Sequence, residues 1–228
     1  MYKDKTFLAI IPARGGSKRL PRKNVLDLNG KPLIAWSIEA GLNSQYIDKI
    51  IVSSDDEEIL TIAKDFKADT LKRPTELASD IATTFDAIKH IIDNVEDYDY
   101  VILLQATSPL RNQQHIDEAI ELLNLKNADA VVSVCHMDHS PLWSNTLDDN
   151  LSMNGFLRDE VLNKRSQDLE TYFRVNGAIY ICNTKKLLEE KSFFLKDNIF
   201  AYKMDRKSSI DIDEEIDLTI SKFIMDSE

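Results

Sequence analysis

Arg14, Lys18, Arg19, Arg22 and Lys23 place five positive charges within ten residues, around the pair Gly15-Gly16. Glycines permit a tight turn and a close approach of backbone N–H groups to a ligand, and clustered cations neutralise phosphate charge. The stretch Ile10 to Asn24, I-I-P-A-R-G-G-S-K-R-L-P-R-K-N, therefore reads as a polyphosphate-binding loop. A cationic surface turn is the competing reading. Two features favour the phosphate. The loop directly follows an apolar run, Phe7 to Ile11, of the kind a strand covered on both faces requires, and open α/β sheets bind ligands at the ends of such strands. The island of cations also stands in an acidic chain, with 28 Lys+Arg against 39 Asp+Glu and a formal net charge of −11. The loop contains neither G-x-x-x-x-G-K-[ST] nor G-x-G-x-x-G, so it is neither a Walker loop nor a dinucleotide turn.

A second candidate lies near the end of the chain. Asp211 and Asp213, in S-I-D-I-D, are two residues apart, so an extended backbone projects both carboxylates to one side while Ile210 and Ile212 turn to the core. Such a pair suits Mg²⁺, which takes one or two carboxylates and completes its shell with substrate phosphates and water. Capping of the following helix by Asp213 is the alternative, and it leaves Asp211 without a role. His136 and His139 flank Asp138 but read as surface residues of a turn rather than metal ligands. Cys135 and Cys182 sit in apolar runs without partners at metal-ligand spacing and read as small core residues.

The elements that must position these groups alternate. Strands are expected at about 7–11, 48–53, 68–71, 100–104 and 130–134, with helices at about 33–42, 59–66, 83–94 and 116–125. Asp55 or Asp56 is the expected cap of the second helix, and Asp80 or Thr83 that of the third. Strand, helix, strand, helix implies a mainly parallel sheet with helices on both faces. Arg73 and Gln105 each follow a strand, where loop residues reach the ligand crevice. From 136 to 173 the rhythm fails, and nearly forty residues without strong periodicity read as a functional excursion. The pattern resumes with a strand at 174–181, where Asn176-Gly177 suggests a bulge or close approach. A short helix at 184–190, a strand at 199–204 and a last helix follow, the latter with Ile216, Leu218, Ile220 and Phe223 or Ile224 as its apolar face.

The length of 228 residues, 43% hydrophobic and 29% charged, fits one α/β domain of residues 1–228 with an excursion. The acidic balance disfavours a general nucleic-acid or anionic-membrane binder. No apolar stretch is long enough to span a membrane, and Met-Tyr-Lys-Asp-Lys lacks the apolar core of a signal peptide, so the expected location is cytoplasmic. No histidine or cysteine stands in a recognisable nucleophile arrangement, which disfavours a covalent intermediate.

Five segments in order carry a resemblance: I-P-A-R-G-G-S-K-R-L-P-R-K-N, R-P-T-E-L-A-S-D, L-L-Q-A-T-S-P-L-R, F-R-V-N-G-A-I-Y and S-I-D-I-D. Together they resemble the cytidylyltransferases that make CMP-sialic acid and the CMP forms of related nine-carbon acidic sugars, over about Phe7 to Ile224. Ala106 and Val175 stand where proline is common in that family. The resemblance implies a Rossmann-like, glycosyltransferase-A-like nucleotidyltransferase and a homodimer in which the excursion reaches the partner's sugar site. It further implies that Arg14 and Lys23, with the backbone of Gly15, Gly16 and Ser17, hold the phosphates of CTP, and that Asn24, Arg73 and Thr84 meet the cytidine. Gln105, Arg165, Tyr180, Phe193 and Phe194 would lie around the sugar, with Arg174 on its sugar or phosphate side. Asp211 and Asp213 would hold Mg²⁺, or Mn²⁺ in its place. The same chemistry on legionaminic acid, pseudaminic acid or Kdo is the nearest rival, and a non-catalytic nucleotide-sugar sensor is a rival of another class.

Overall fold

A computed structural model describes residues 1–79 and 82–227. Seven strands form one sheet: β1 (Phe7–Pro12), β4 (Lys49–Ser54), β5 (Asp69–Lys72), β6 (Tyr100–Leu103), β7 (Ala130–His136), β8 (Phe173–Asn183) and β9 (Ile199–Met204). Their order across the sheet is β5-β4-β1-β6-β8-β7-β9. A two-stranded hairpin of β2 (Asp27–Leu28) and β3 (Lys31–Pro32) turns at Asn29 and Gly30, both at positive φ, the geometry that an Asn-Gly pair supplies most readily. The helices are α1 (Leu33–Leu42), α2 (Glu57–Asp65), α3 (Thr84–Ile92), α4 (Gln113–Leu125), α5 (Thr184–Glu190) and α6 (Glu215–Asp226).

The sheet is mainly parallel, as expected. Strand β8 runs antiparallel to both of its neighbours, β6 and β7, because the chain returns from β7 through the 137–172 segment without a crossover helix. Alternation along the buried β1 distributes its side chains between two layers. Phe7, Ala9 and Ile11 pack with Ile34 and Ile38 of α1, Ile59 and Ala63 of α2, and Ile116, Ile120 and Leu123 of α4. Leu8 and Ile10 pack on the other face with Ile88 and Ile91 of α3 and Leu187 of α5.

Local chemistry sets the helix starts. Asp56 is the cap of α2, accepting from the backbone of Glu58 and Ile59, and Thr83 forms a capping box with Asp86 at α3. The alternative cap Asp80 lies outside the described residues. Helix α4 begins at Gln113, earlier than the apolar pattern starts, because Asn112 and His115 form a capping box there.

Helix α6 departs from expectation. Ile216, Ile220 and Phe223 are exposed, while Leu218 and Met225 pack against Leu28, Leu33 and Ile212, and Ser221 is buried between them. At 100° per residue, 216, 220 and 223 form one stripe and 218, 221 and 225 the opposite one, so Leu218 never shared a face with the others. The helix turns its Leu218, Ser221 and Met225 stripe to the hairpin.

Candidate active site

The loops after β1, β5 and β6 and the segment before α6 enclose a cleft of ≈ 690 Å³. It opens at the carboxyl ends of the strands flanking the point where strand order reverses, between β1 and β6, the usual ligand crevice of such sheets. Arg14, Ser17, Lys18, Arg19, Lys23 and Asn24 line it from the first loop, Arg73 from the second, Thr84 from the first turn of α3, and Gln105 and Thr107 from the third. Asp211 and Asp213 complete the lining. Residues separated by 190 positions thus converge: Lys23 Nζ donates to Asp213 Oδ1 at 2.9 Å.

Acidic residues at the start of α2 brace the glycine-rich loop from behind. Gly15 N–H donates to Asp55 Oδ1 at 3.1 Å. A β-carbon on Gly15 would stand 2.5 Å from Asp56 Oδ2 and 2.9 Å from Asp56 Cβ, so only glycine allows this approach. Gly16 faces open space. Arg22 adopts a left-handed conformation, φ 57°, and turns away from the cleft to pair with Asp56 and Glu58. Asn24 is buried and donates to the Arg14 carbonyl at 3.1 Å, holding the loop's two ends together. Of the five loop cations, four therefore face the cleft and one secures the loop.

The two carboxylates differ in kind. Asp213 accepts from Lys23 and lies 2.8 Å from Arg19 Nη2, and these cations hold its carboxyl below the usual range. Asp211 is raised, chiefly by burial and further by Asp213, against a lowering hydrogen bond from Thr107. Its Oδ1 is buried without a hydrogen-bond partner. A buried carboxylate oxygen left open beside a second carboxylate is a donor set that fits a divalent cation. Among the described residues no group of three or more His, Cys, Asp or Glu forms a metal site, so any cation here would draw its remaining ligands from substrate and water.

Arg73 is 7% exposed, 4.0 Å from Asp55, and its Nε and Nη2 have no hydrogen-bond partner. Burial pushes its pKa down and Asp55 raises it. Buried donors of this kind seek an acceptor, and the cleft is where one can arrive.

Tyr180, on β8, pairs in register with Leu103 of β6, and its ring contacts Phe193 and Phe194 at 5.6 and 6.1 Å. Burial and then the charge of Asp211 raise the Tyr180 hydroxyl, and none of these three rings is among the residues lining the cleft. Phe194 is largely exposed and Phe193 belongs to the core. Arg174 Nη2 donates to the Ser209 carbonyl at 3.3 Å. Arg165 lies in the excursion, exposed and paired with Asp168, and this chain does not bring it to the cleft.

Sequence reasoning gave Asp55 only a possible capping role and left Arg111 without one. Arg111 is 1% exposed, donates from Nη2 to Ser37 Oγ at 2.7 Å and to the Gln105 carbonyl at 3.3 Å, and is pushed down to about 9 by burial. It fixes the backbone from which Gln105 reaches the cleft.

Comparison with known proteins follows the same geometry. The family model described as Cytidylyltransferase matches residues 8–221. The N-acylneuraminate cytidylyltransferase of Escherichia coli is 42% identical over 94% of this chain, and this chain spans about half, 51%, of that relative's length. The pseudaminic acid cytidylyltransferase of Campylobacter jejuni is 37% identical over 95% of both chains. In fold, the solved structure of CMP:2-keto-3-deoxy-manno-octonic acid synthetase complexed with CTP superposes with a TM-score of 0.74, covering 97% of this chain and 99% of that one at 18% identity. A family match that runs from β1 through the cationic loop to both aspartates and on into α6 covers every segment that builds the cleft, and the chain belongs to the cytidylyltransferases.

Proposed function

We propose that this chain transfers CMP from CTP to the anomeric hydroxyl of a sialic acid, N-acetylneuraminic acid or a related nonulosonic acid, releasing pyrophosphate. The observation that carries the reading is the convergence of Arg14, Lys18, Arg19 and Lys23 with Asp211 and Asp213 in one cleft. Its relatives bear names of that activity, at 42% and 37% identity.

Arg14 and Lys23 hold the triphosphate, with the loop through Gly15, Gly16 and Ser17 wrapped beside it. Arg73 supplies buried donors to the cytidine, with Asn24 and Thr84 at its border. Gln105 and the aromatic group of Tyr180, Phe193 and Phe194 flank the sugar. Arg174, and Arg165 from a partner subunit's excursion, serve its carboxylate. Asp211 and Asp213 would hold Mg²⁺, or Mn²⁺, which would supply positive charge against the phosphates. The protein's own work is alignment and charge neutralisation as pyrophosphate leaves.

The 136–173 excursion closes the site across a homodimer. Leu147, Leu151, Met153 and Leu162 stand exposed along it, apolar surface that a partner subunit would cover. Residues 1–228 form one nucleotidyltransferase unit that works in the cytoplasm; among the described residues no helix is long and apolar enough to cross a membrane.

A second acceptor has support of its own: the Campylobacter jejuni relative, named for pseudaminic acid, matches this chain over 95% of both lengths. Pyrophosphate release is the test, with each nucleoside triphosphate against N-acetylneuraminic, legionaminic and pseudaminic acids and Kdo. CTP with one nine-carbon acid is the expected pair, lost in Asp211→Asn. A folded dimer releasing nothing with any pair would return the sensor reading.

A further inference from the structure

Asp211 is carried on an extended segment with no strand partner, so something else must fix it. The register of β7 on β8 shifts between Val132 and Val134, and Gly177 takes φ +79° within that bulge. A β-carbon at Gly177 would stand 2.5 Å from Gln105 Oε1 and 3.8 Å from Asp211 Oδ2, so the bulge brings bare backbone against both groups.

The residue before it, Asn176, is 2% exposed and fully engaged. Its Oδ1 accepts from Ser133 Oγ at 2.6 Å and Ala178 N–H at 3.2 Å; its Nδ2 donates to Ser209 Oγ at 2.8 Å and Met204 Sδ at 3.3 Å. Ser133 Oγ accepts from Ile179 N–H at 2.8 Å, and Ser209 Oγ donates to the Asp205 carbonyl at 2.5 Å. Ser133 and Ser209 are both fully buried. This relay joins β7, the β8 bulge and the end of β9 to the residue two before Asp211. Beyond Asp211, Ile212 N–H donates to the Thr107 carbonyl at 2.8 Å. The carboxylate hangs between two fixed points.

A buried network with every member satisfied selects one geometry, and one missing hydrogen bond releases it. We propose that Asn176 is a positioning residue which, through Ser209, holds the 209–213 segment so that Asp211 presents its open oxygen to the cleft and binds a divalent cation there. This rests on the metal role of Asp211 in the reading above. Groups behind a metal ligand commonly change affinity by roughly 10- to 100-fold when removed.

The experiment is Mn²⁺ titration of the full chain with CTP and no sugar, followed by water-proton relaxation, beside CTP binding in EDTA. Ser209→Ala is expected to weaken Mn²⁺ binding about tenfold, to leave metal-free CTP binding unchanged, and to be rescued by Ser209→Thr, which keeps the hydroxyl. Ser133→Ala, which loosens Asn176 from the far side and reads the relay if Ser209→Ala does not fold, is expected to weaken Mn²⁺ binding in the same direction. Unchanged Mn²⁺ binding in these variants, an equal loss of metal-free CTP binding, or a Ser209→Thr as weak as the alanine would overturn the positioning role. Asp211→Asn separates the two readings: if it binds Mn²⁺ like the parent, the metal role falls and the relay's role with it; if it alone loses Mn²⁺, only the relay falls.

Discussion

Gly15→Ala tests whether the phosphate loop is held by its contact with α2. No positive φ is involved at Gly15, so the effect is purely one of space. The added methyl would meet Asp56 Oδ2 at 2.5 Å, Cβ at 2.9 Å and Cγ at 3.1 Å. The carboxylate cannot swing aside freely. Asp56 Oδ1 accepts from Glu58 N–H at 2.9 Å and Ile59 N–H at 3.2 Å, and Oδ2 pairs with Arg22. Either the cap gives way, at about 0.5–2 kcal/mol, or the loop withdraws and loses its bond to Asp55. Overpacking of this kind costs about 1–3 kcal/mol, which lowers Tm by roughly 2–12 °C for a chain of this size. Withdrawal of the loop also displaces Arg14 and Ser17, and losing one positioned donor costs roughly 10²–10³ in rate. Gly16→Ala, with nothing within 4 Å of its new methyl, should leave stability within about 0.5 kcal/mol. Adding Asp56→Gly removes the obstructing side chain while glycine remains an acceptable cap. The double variant should therefore recover stability relative to Gly15→Ala, a coupling of about 1 kcal/mol or more. Thermal unfolding with pyrophosphate-release kinetics provides the assay. A Gly15→Ala protein with parental Tm and kcat/KM, or strict additivity with Asp56→Gly, would refute the reasoning.

Two further perturbations read other parts of the scaffold. Ser37→Ala should destabilise by about 1.5–3 kcal/mol in urea unfolding, far more than an ordinary serine, because it leaves the buried Arg111 guanidinium with one 3.3 Å bond to Gln105; a cost under 0.5 kcal/mol would show the guanidinium to be otherwise satisfied. His115 is lowered by burial, and its Nδ1 accepts from Asn112 N–H at 3.2 Å, which only the neutral ring can do. The unfolded chain therefore takes up this proton first as pH falls below about 6.5, and stability declines by at most about 1.4 kcal/mol per pH unit until the folded ring also protonates. Urea midpoints between pH 7 and 5 should fall less steeply in His115→Gln than in the parent, and parallel slopes would count against it.

The parallel half of the sheet and its helices were legible because buried strands and amphipathic helices write their periods into consecutive residues. The first loop was legible for the same reason: its cations and glycines are contiguous. What escaped depends on separation in sequence. Nothing in V-N-G announces an antiparallel strand, since its direction follows from a return segment that lacks a helix. Asn176 meets Ser133 and Ser209, 43 and 33 positions away, and no local pattern relates two polar residues of apolar strands to a serine in the turn beyond β9. Helix α6 misled because isoleucines and phenylalanine usually mark the buried stripe, whereas here packing on a small hairpin selects Leu218, Ser221 and Met225.

Asp213 explains how an acidic chain keeps a cationic loop ready for a polyanion. With a formal net charge of −11, the protein must concentrate positive charge locally, and free cations so close together would repel one another. Bridging Lys23 at 2.9 Å and Arg19 at 2.8 Å, Asp213 acts as a resident anion that places both before any phosphate arrives. In the proposed reaction the triphosphate would compete for those same cations, so that Lys23 and Arg19 exchange one anionic partner for another. Cations already placed by a resident anion need little reorganisation when the phosphates arrive, the condition under which fixed charges lower a barrier most.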